Sequence, residues 1–356
     1  ERKEKPETTW KNEIKQIILP DEEVRMASLV RWNHLAKPLH GMGALEEMIA
    51  RIAGIQGRLH PSLQKKGIVV LCADNGIVKE GVSQTGADVT AGQTSVCKMA
   101  KVAGADILPY DIGILTDVEG LTKAEYKVAR GTKDFLEEPA MTRGECICAI
   151  LTGMKIVKER KAQGYEILAT GEMGIGNTTT SSALLSALTG VKAEEVVGRG
   201  GGLNDEGLRK KIKIVDDAVN SWCMNDPIEK LSKVGGFDIC AMVGAFLGAA
   251  VHRMPVVIDG FISVVAACYA KELNPKVTDY MFASHKSYEI GYQIAMDRLG
   301  LSPMFDLGMR LGEGSGCPIA FKIIETAVAA MNLMKSLEEA SIDGDYLEEI
   351  RRDNLF

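Results

Sequence analysis

Short apolar runs rich in β-branched residues recur along the chain, and segments with helical spacing separate them. A run of strand length that is apolar at nearly every position is typical of a parallel strand buried on both faces. The alternation of such runs with helices predicts an α/β fold with a doubly wound, mostly parallel, Rossmann-like sheet. The six runs cover residues 67–74, 105–113, 165–172, 254–261, 279–285 and 302–309.

The apolar runs end in small or polar residues. Asn75 and Gly76 follow the first run, and Glu172 ends the third. Asp259 and His285 lie at the ends of the fourth and fifth runs. In an open parallel sheet the carboxyl ends of the strands form the ligand crevice. We therefore expect these polar ends to meet at one site that is assembled from the whole chain.

Both ends of the chain carry apolar residues at helical spacing, with no strand-like run between them. At 356 residues the chain also exceeds the usual size of a single hydrophobic core. We expect residues 1–50 and 320–356 to build a small helical domain. Residues 51–319 are expected to form the large catalytic domain that contains the parallel sheet.

The charge and hydropathy patterns indicate which partners are not expected. The net charge is −6 and the basic residues are spread along the chain, so no nucleic acid partner is expected. No apolar stretch reaches the roughly 18 residues of a membrane-spanning helix, so no membrane partner is expected. Residues 1–16 are charged and lack the apolar core of a secretion signal, which predicts a cytoplasmic location.

Cysteine and histidine spacing gives no sign of a metal site. The eight cysteines include no CxxC pair, and several lie within apolar runs. The five histidines have neither HxH nor HxxxH spacing. We expect reduced cysteines in the core, no bound metal and no cofactor.

A glycine-rich loop, GEMGIGN, joins the third apolar run to a helix that begins near TTTSSAL. Asn177 and Thr178 are candidate N-caps of this helix. A strand, a glycine turn and a helix N-terminus present free amides that bind phosphate, with Gly174 and Gly176 giving the close approach. The loop matches neither GxGxxG nor GxxxxGK[ST], so a ligand smaller than a dinucleotide or nucleoside triphosphate is favoured. The alternative is a plain turn between strand and helix.

A second glycine loop contains Gly200, Gly201 and Gly202 ahead of a helix capped by Asn204 or Asp205. Its free amides add a second anion-binding turn, and the two loops together suit an anion of mononucleotide size. Lys211, early on the helix, could place a positive charge at the phosphate. The alternative for this lysine is an ordinary solvated surface position.

Glu313 lies between two glycines at the end of the sixth run, so few side chains would shield its carboxylate. Such a carboxylate can act as a general base, and apolar neighbours such as Met309 and Leu311 would raise its pKa. Glu172 is a possible second carboxylate. The alternative for Glu313 is an ordinary loop glutamate.

Two further segments carry less weight. Ser284, His285 and Ser287 suggest a hydrolase, but the chain lacks the GxSxG turn that exposes a serine nucleophile. Residues 235–250 have small residues at helical spacing and are interpreted as a closely packed core helix.

Nine segments, in order, resemble the nicotinate-nucleotide–dimethylbenzimidazole phosphoribosyltransferase family, which includes relatives that attach phenol or p-cresol. The resemblance covers nearly the whole chain and implies a parallel-sheet domain, a helical domain from both termini, and a dimer. The segments are HLAKPLHGMGALEE, ADNGIVKEGVS, PAMTR, GEMGIGNTTTSSAL, GRGGGLNDEGL, GGFDICAMVGAF, PVVIDGFIS, ASHKSYE and LGMRLGEGSG.

The resemblance implies that the phosphoribosyl group of nicotinate mononucleotide moves to a benzimidazole-type base in cobamide (cobalamin) biosynthesis. The products are nicotinate and an α-riboside phosphate. Glu313 matches the general base of the family, and Glu172 matches a second active-site glutamate. The residues implied to hold the phosphoribosyl group are Gly174, Gly176, Asn177, Thr178, Gly200, Gly201, Gly202 and Lys211. The residues implied to form the base pocket are Ser83, Met309, Leu311 and Gly312.

One departure from the family concerns residues 91–102, where this chain is shorter than the family usually is. Either a loop of the base pocket is shortened or a mobile loop is missing from this sequence, so the acceptor base stays open. The first alternative function is the same transfer to phenol or p-cresol by one chain of a heterodimer. The second is a non-catalytic partner subunit. Hydride transfer is disfavoured because no dinucleotide motif is present.

Overall fold

The computed structural model describes residues 6–82, 94–118, 121 and 124–344. Its sheet contains five parallel strands in the order β2-β1-β3-β4-β5. Parallel strands flanked by helices confirm the predicted α/β fold, and the first five apolar runs each overlap one strand. The strands are β1 (Lys66–Ala73), β2 (Ala105–Gly113), β3 (Ile167–Met173), β4 (Val256–Ile258) and β5 (Met281–Ala283).

The strand order reverses between β1 and β3. From β1 the chain moves outward to β2 and then returns to β3 on the other side of β1. Ligands in open α/β sheets bind outside the carboxyl ends of the strands at such a reversal. Glu172, near the end of β3, is paired in register with Leu71 of β1 and therefore lies at this position.

The sixth predicted strand, residues 302–309, is wrong. This segment makes only a single parallel bridge, between His285 and Phe305. Pro303 has no amide hydrogen to donate, and Gly308 has a φ of +68°. The amide of Gly308 donates to the side chain of Asp306 at 3.3 Å, which turns the chain away from the sheet.

Helices cover both faces of the sheet. The α-helices are α1 (Pro6–Ile14), α2 (Glu22–His34), α3 (Ala44–Gln56), α4 (Ser95–Ala103), α5 (Arg143–Ala162), α6 (Asn177–Thr189), α7 (Ala193–Val196), α8 (Asp205–Ser221), α9 (Pro227–Val234), α10 (Phe237–Val251), α11 (Phe261–Leu273), α12 (Tyr292–Leu299) and α13 (Cys317–Leu333). The core interpretation of residues 235–250 is confirmed, because the residues of α10 from Phe237 to Ala250 are buried.

Helices α5 and α10 pack with their backbones in close contact through glycine. A β-carbon added at Gly153 would overlap the carbonyl oxygen of Ala241, and one added at Gly244 would overlap the carbonyl oxygen of Ile150. Neither neighbour is a flexible side chain, so relief would require the two helices to separate.

Gly153→Ala is expected to lower the free energy of unfolding by about 3 kcal/mol, because the added methyl group meets backbone. Gly144→Ala on the same helix is the matched control, since its β-carbon would meet only Thr142 Oγ1 at 3.9 Å. The thermal midpoints of both variants measure the effect. Equal midpoints would contradict the close approach of α5 and α10.

The terminal helices join the same hydrophobic core as the sheet. Trp32 of α2, Ile52 of α3 and Phe321 of α13 are buried in it, and an antiparallel bridge connects Leu35 with Ser336. The segment that follows α2 and the segment that follows α13 therefore meet in space. Their assignment to a separate small domain stays a prediction.

The prediction of core cysteines holds for five of the eight. The exposed Cys148 and Cys223 contradict it, because Cys148 faces outward from α5 and Cys223 follows the end of α8. All eight thiols are free.

Among the described residues, no helix combines the length and apolar character needed to span a bilayer.

Candidate active site

A small open cleft, with a volume of about 40 Å³, lies at the carboxyl ends of β3 and β4. Glu172 contributes from the end of β3, Thr178 from the start of α6, and Asp259 from the end of β4. Leu311 and Gly312 close another side. The polar ends of the third and fourth runs thus meet at one site, as predicted, whereas Asn75 and His285 do not line the cleft.

Glu313 lies in a tight left-handed turn over the end of β3. Gly312, Glu313 and Gly314 have φ values of +82°, +62° and +85°. A left-handed conformation costs a non-glycine residue roughly 1–2 kcal/mol, so the surrounding contacts must maintain it. The turn packs against Gly171, where a β-carbon would lie 2.7 Å from the Glu313 carbonyl oxygen.

Asp259 holds this turn in place from β4. Its carboxylate accepts hydrogen bonds from the amides of Gly314 at 3.0 Å and Gly316 at 2.8 Å. Burial raises the pKa of Asp259 to about 7, although these amides favour its charged form. Asp259 therefore attaches the Glu313 turn to the sheet.

Glu313 adjoins Glu172, which lines the cleft, through its backbone. The amide of Glu313 donates to Glu172 Oε1 at 3.2 Å. Burial raises the pKa of Glu172, and the nearby charge of Glu313 acts in the same direction. Burial also raises the pKa of Glu313, which is half-buried. A carboxylate with a raised pKa near a cleft suits proton removal from a substrate.

Lys211 is fully buried beneath the second glycine loop. Its Nζ donates to Thr178 Oγ1 at 2.9 Å and to the Gly198 carbonyl at 3.1 Å. Burial lowers the pKa of Lys211 to about 8, and the charge of Glu289 acts in the opposite direction. A buried ammonium group whose hydrogen-bond partners are neutral favours an anion as an additional partner.

The two glycine loops meet at Lys211. A β-carbon added at Gly200 would lie 2.9 Å from Thr178 Oγ1 and 3.3 Å from Lys211 Nζ. Within the described residues, no acceptor takes a hydrogen bond from the amides of Gly200 and Gly201. Gly202 donates to the Arg199 carbonyl and closes the turn. This corner offers an ammonium group, a hydroxyl and free amides to an anion.

The first glycine loop differs in detail from the prediction. The N-cap of α6 is Gly176, so Asn177 and Thr178 as caps are both wrong. The reason is that the Asn177 side chain is buried, where it donates to Glu172 and Asp238. The second loop follows the prediction, since Asn204 caps α8 by accepting from the amide of Gly207 at 2.9 Å.

Gly174 and Gly176 lie behind the cleft. A β-carbon at Gly174 would overlap Asp238 Oδ2, and one at Gly176 would lie 2.8 Å from Val78. They allow the loop to pack closely against the interior. The phosphate-binding role of these two glycines and of Asn177 stays a prediction.

The expected base pocket is only partly described. Leu311 is 55% exposed beside Gly312, and Met309 is half-buried, with its carbonyl accepting from Tyr288 N at 3.0 Å. Ser83 lies outside the described residues. Most of the short 91–102 segment is α4, and residues 91–93 are likewise outside the described part.

Ser284, His285 and Asp259 are close but lack the geometry of a catalytic triad. The Ser284 hydroxyl lies 3.0 Å from His285 Nδ1, and Asp259 Oδ1 lies 3.8 Å from the same nitrogen. A triad needs the serine and the acid on opposite ring nitrogens. Burial also lowers the pKa of His285 to about 4, so the ring is neutral.

Several cleft residues were absent from the predicted site. They include Ser287, Glu289 and Arg310. Asp259 is expected at the site only as a polar end of the fourth apolar run, with no role assigned to it. Ser287, Glu289 and Arg310 follow irregular segments, and no local pattern marks them.

Comparison with known proteins agrees with this geometry. Residues 17–342 match the family model described as phosphoribosyltransferase. A relative from Clostridium perfringens (strain ATCC 13124), named nicotinate-nucleotide–dimethylbenzimidazole phosphoribosyltransferase, is 47% identical over 348 residues, covering 94% of this chain and 96% of that protein. A relative of the same name from Acetivibrio thermocellus is 47% identical over 325 residues, covering 88% and 92%.

A solved structure is similar over nearly the same length. The crystal structure of CobT from Thermus thermophilus has a TM-score of 0.85 and 36% sequence identity, covering 90% of this chain and 99% of that chain. Fold, sequence and family model therefore agree along most of the chain. The chain belongs to the nicotinate-nucleotide–dimethylbenzimidazole phosphoribosyltransferase family.

Proposed function

We propose that this chain transfers the 5-phosphoribosyl group of nicotinate mononucleotide to a benzimidazole-type base in cobamide biosynthesis. The observation that carries the proposal is a cleft lined by Glu172 and Thr178, with the backbone of Glu313 against Glu172 and the buried Lys211 ammonium group against Thr178. The names of the relatives, which match this chain over most of its length, support the choice of substrates.

The phosphate end is assigned to the corner around Lys211. Thr178 Oγ1, the Lys211 ammonium group and the amides of Gly200 and Gly201 would surround the 5′-phosphate. These groups are set by the fold before substrate arrives, so little ordering accompanies binding. The negative charge of Glu289 beside Lys211 partly offsets the positive charge of this corner.

The reacting end is assigned to Glu313 and Glu172. A ring nitrogen of the base attacks the ribose anomeric carbon, the bond from that carbon to nicotinate breaks, and inversion gives the α-riboside. The proton on the other ring nitrogen passes to Glu313. Nicotinate leaves with the bonding electron pair and becomes a neutral pyridine nitrogen, so no general acid is required. Positioning and one base supply the catalysis.

The acceptor is proposed to be a benzimidazole that lies against Leu311 and Gly312, with Met309 and Ser83 completing the pocket. The names of the relatives described above support this acceptor and give no support to phenol. A benzimidazole would place its flat face on apolar atoms and its N–H toward Glu313.

The purified chain is expected to release nicotinate and form the α-riboside phosphate when given nicotinate mononucleotide and dimethylbenzimidazole. Mass spectrometry of both products measures the reaction, with phenol and p-cresol as parallel acceptors. Turnover with phenol alone would replace the benzimidazole proposal. Absence of turnover with every acceptor would favour the non-catalytic partner subunit.

Assembly as a dimer, homomeric or with a paralogous chain, and a cytoplasmic location both stay predictions. The mass of the purified protein in solution tests the first. Fractionation of the native cells tests the second.

A further inference from the structure

A row of buried polar side chains continues from Glu172 into the interior. Asn177 Nδ2 donates to Glu172 Oε2 and also to Asp238 Oδ2, the latter at 3.2 Å. Asp238 lies in the first turn of α10 and is fully buried. Asp238 is therefore connected to Glu172 of the cleft through one shared amide.

Two acceptor oxygens at the inner end of this row have no hydrogen-bond donor among the described residues. They are Asp238 Oδ1 and Asn75 Oδ1. Both would lie within 2.5 Å of a β-carbon added at Gly236, so they are neighbours. Asn75 Nδ2 donates to the Ile175 carbonyl at 3.2 Å, so Oδ1 is the atom of this amide that lacks a partner. Two neighbouring buried acceptor oxygens without a donor are unfavourable.

A single proton would satisfy both oxygens. A hydroxyl at Asp238 Oδ1 can donate to Asn75 Oδ1, while Oδ2 continues to accept from Asn177. The same proton removes a negative charge from beside Glu172. Two buried carboxylates bridged by one neutral amide cannot both ionise without a large electrostatic cost.

Some groups around Asp238 favour its protonated form and others favour its ionised form. The Glu172 carboxylate on β3 favours the neutral form, and the thiols of Cys72 on β1 and Cys240 on α10 carry no compensating charge. The side-chain amide of Asn177 and the backbone amides of Ile239 and of Asp238 itself favour the anion. Burial outweighs these amides and raises the pKa of Asp238 to about 7.

We propose that Asp238 is a positioning residue for the phosphoribosyl transfer: its carboxyl group carries a proton, donates it to Asn75, and so fixes the Asn177 amide that holds Glu172 at the cleft. The proposal rests on the function proposed above. Asp238 itself does not touch substrate. Its ionisation breaks the bond to Asn75 and places a second negative charge behind Glu172.

Asp238→Asn is the informative variant, because its amide copies the protonated acid. Its Nδ2 can donate to Asn75 while its Oδ1 accepts from Asn177. At neutral pH this variant is expected to keep at least about a third of the parental kcat, whereas Asp238→Ala loses about tenfold or more. KM for nicotinate mononucleotide should change less than about threefold in both, because the Lys211 corner is intact. Loss of turnover in Asp238→Asn equal to that in Asp238→Ala overturns the proposal.

A stability measurement without substrate reports whether Asp238 is protonated, independently of turnover. A carboxyl group whose folded pKa is raised stabilises the fold below its unfolded pKa, and this stability is lost as pH rises through about 7. The asparagine variant has no such ionisation. Its thermal midpoint relative to the parent should therefore rise by about 3 °C or more between about pH 5 and about pH 8.

A midpoint difference that does not change with pH overturns the proposal, since it means that Asp238 is already ionised in the fold. A parent protein without transferase turnover would instead contradict the proposed function. The midpoint comparison would still decide whether Asp238 carries the proton, so the two failures are distinguishable.

Discussion

Glu313→Gln is expected to lower kcat by about two to four orders of magnitude, the usual contribution of a general base. Glutamine keeps the size of the side chain but cannot accept the proton of the attacking base. The left-handed turn and its contacts with Glu172 and Gly171 involve the backbone of residue 313, so the turn is retained. Steady-state release of nicotinate measures the loss, and KM for nicotinate mononucleotide should change little.

The pH profile adds a second criterion for Glu313. A base must be ionised to act, so the parental rate should fall as pH drops through a pKa above the ordinary glutamate value, because burial raises it. Glu272→Gln is the control, since Glu272 pairs with Arg298 at the surface, at the opposite end of α11 from the cleft. Surface pairs contribute little, so the control should turn over at the parental rate. A parental rate in Glu313→Gln would exclude Glu313 as the base.

Lys211→Met is expected to raise the dissociation constant of nicotinate mononucleotide by roughly 10- to 100-fold. A hydrogen bond to a charged partner contributes about 1.5–3 kcal/mol, and methionine fills the space without a charge. In the parent, binding should weaken as pH rises past about 8, where the Lys211 ammonium group loses its proton. Calorimetric titration at several pH values measures both effects.

The matched control for Lys211 is Lys213→Met. Lys213 is two residues further along α8, is exposed, and pairs with Asp217 at 2.7 Å. Its loss should leave the dissociation constant and its pH dependence unchanged. If the two variants bound equally well, the phosphate would have to lie elsewhere in the cleft. The assignment of Thr178, Gly200 and Gly201 would then be lost with that of Lys211.

Much of the sheet could be predicted because burial on both faces of a strand produces a recognisable apolar run in the sequence. A strand covered by helices on each side must be apolar at nearly every position, and β1 to β5 each overlap such a run. The same pattern failed at residues 302–309, where Pro303 and Gly308 interrupt pairing although the composition is strand-like. Composition alone does not reveal whether a partner strand is available.

The site could be predicted at the residues that end a strand or lie between glycines. Glu172 and Glu313 have that local signature, and the fold brings them within hydrogen-bond distance. The position of Asn177 after a glycine turn also gave a prediction, but that prediction was a helix cap. Its hydrogen-bond partner Asp238 is a buried carboxylate 61 residues further along the chain, and the sequence around Asn177 does not indicate it. Asp238 lies in a segment whose pattern indicates only a core helix, so the sequence did not single it out.

By itself, the sequence determined the parallel sheet, the two glycine turns and the carboxylate at residue 313, since each depends on neighbours close along the chain. Only the tertiary structure decided which side of each loop faces the cleft. It buried Lys211 under the second glycine loop, and it turned Asn177 inward to Asp238. The physical reason is that burial and hydrogen-bond partners depend on contacts between distant segments, and these set both the direction of a polar side chain and its pKa.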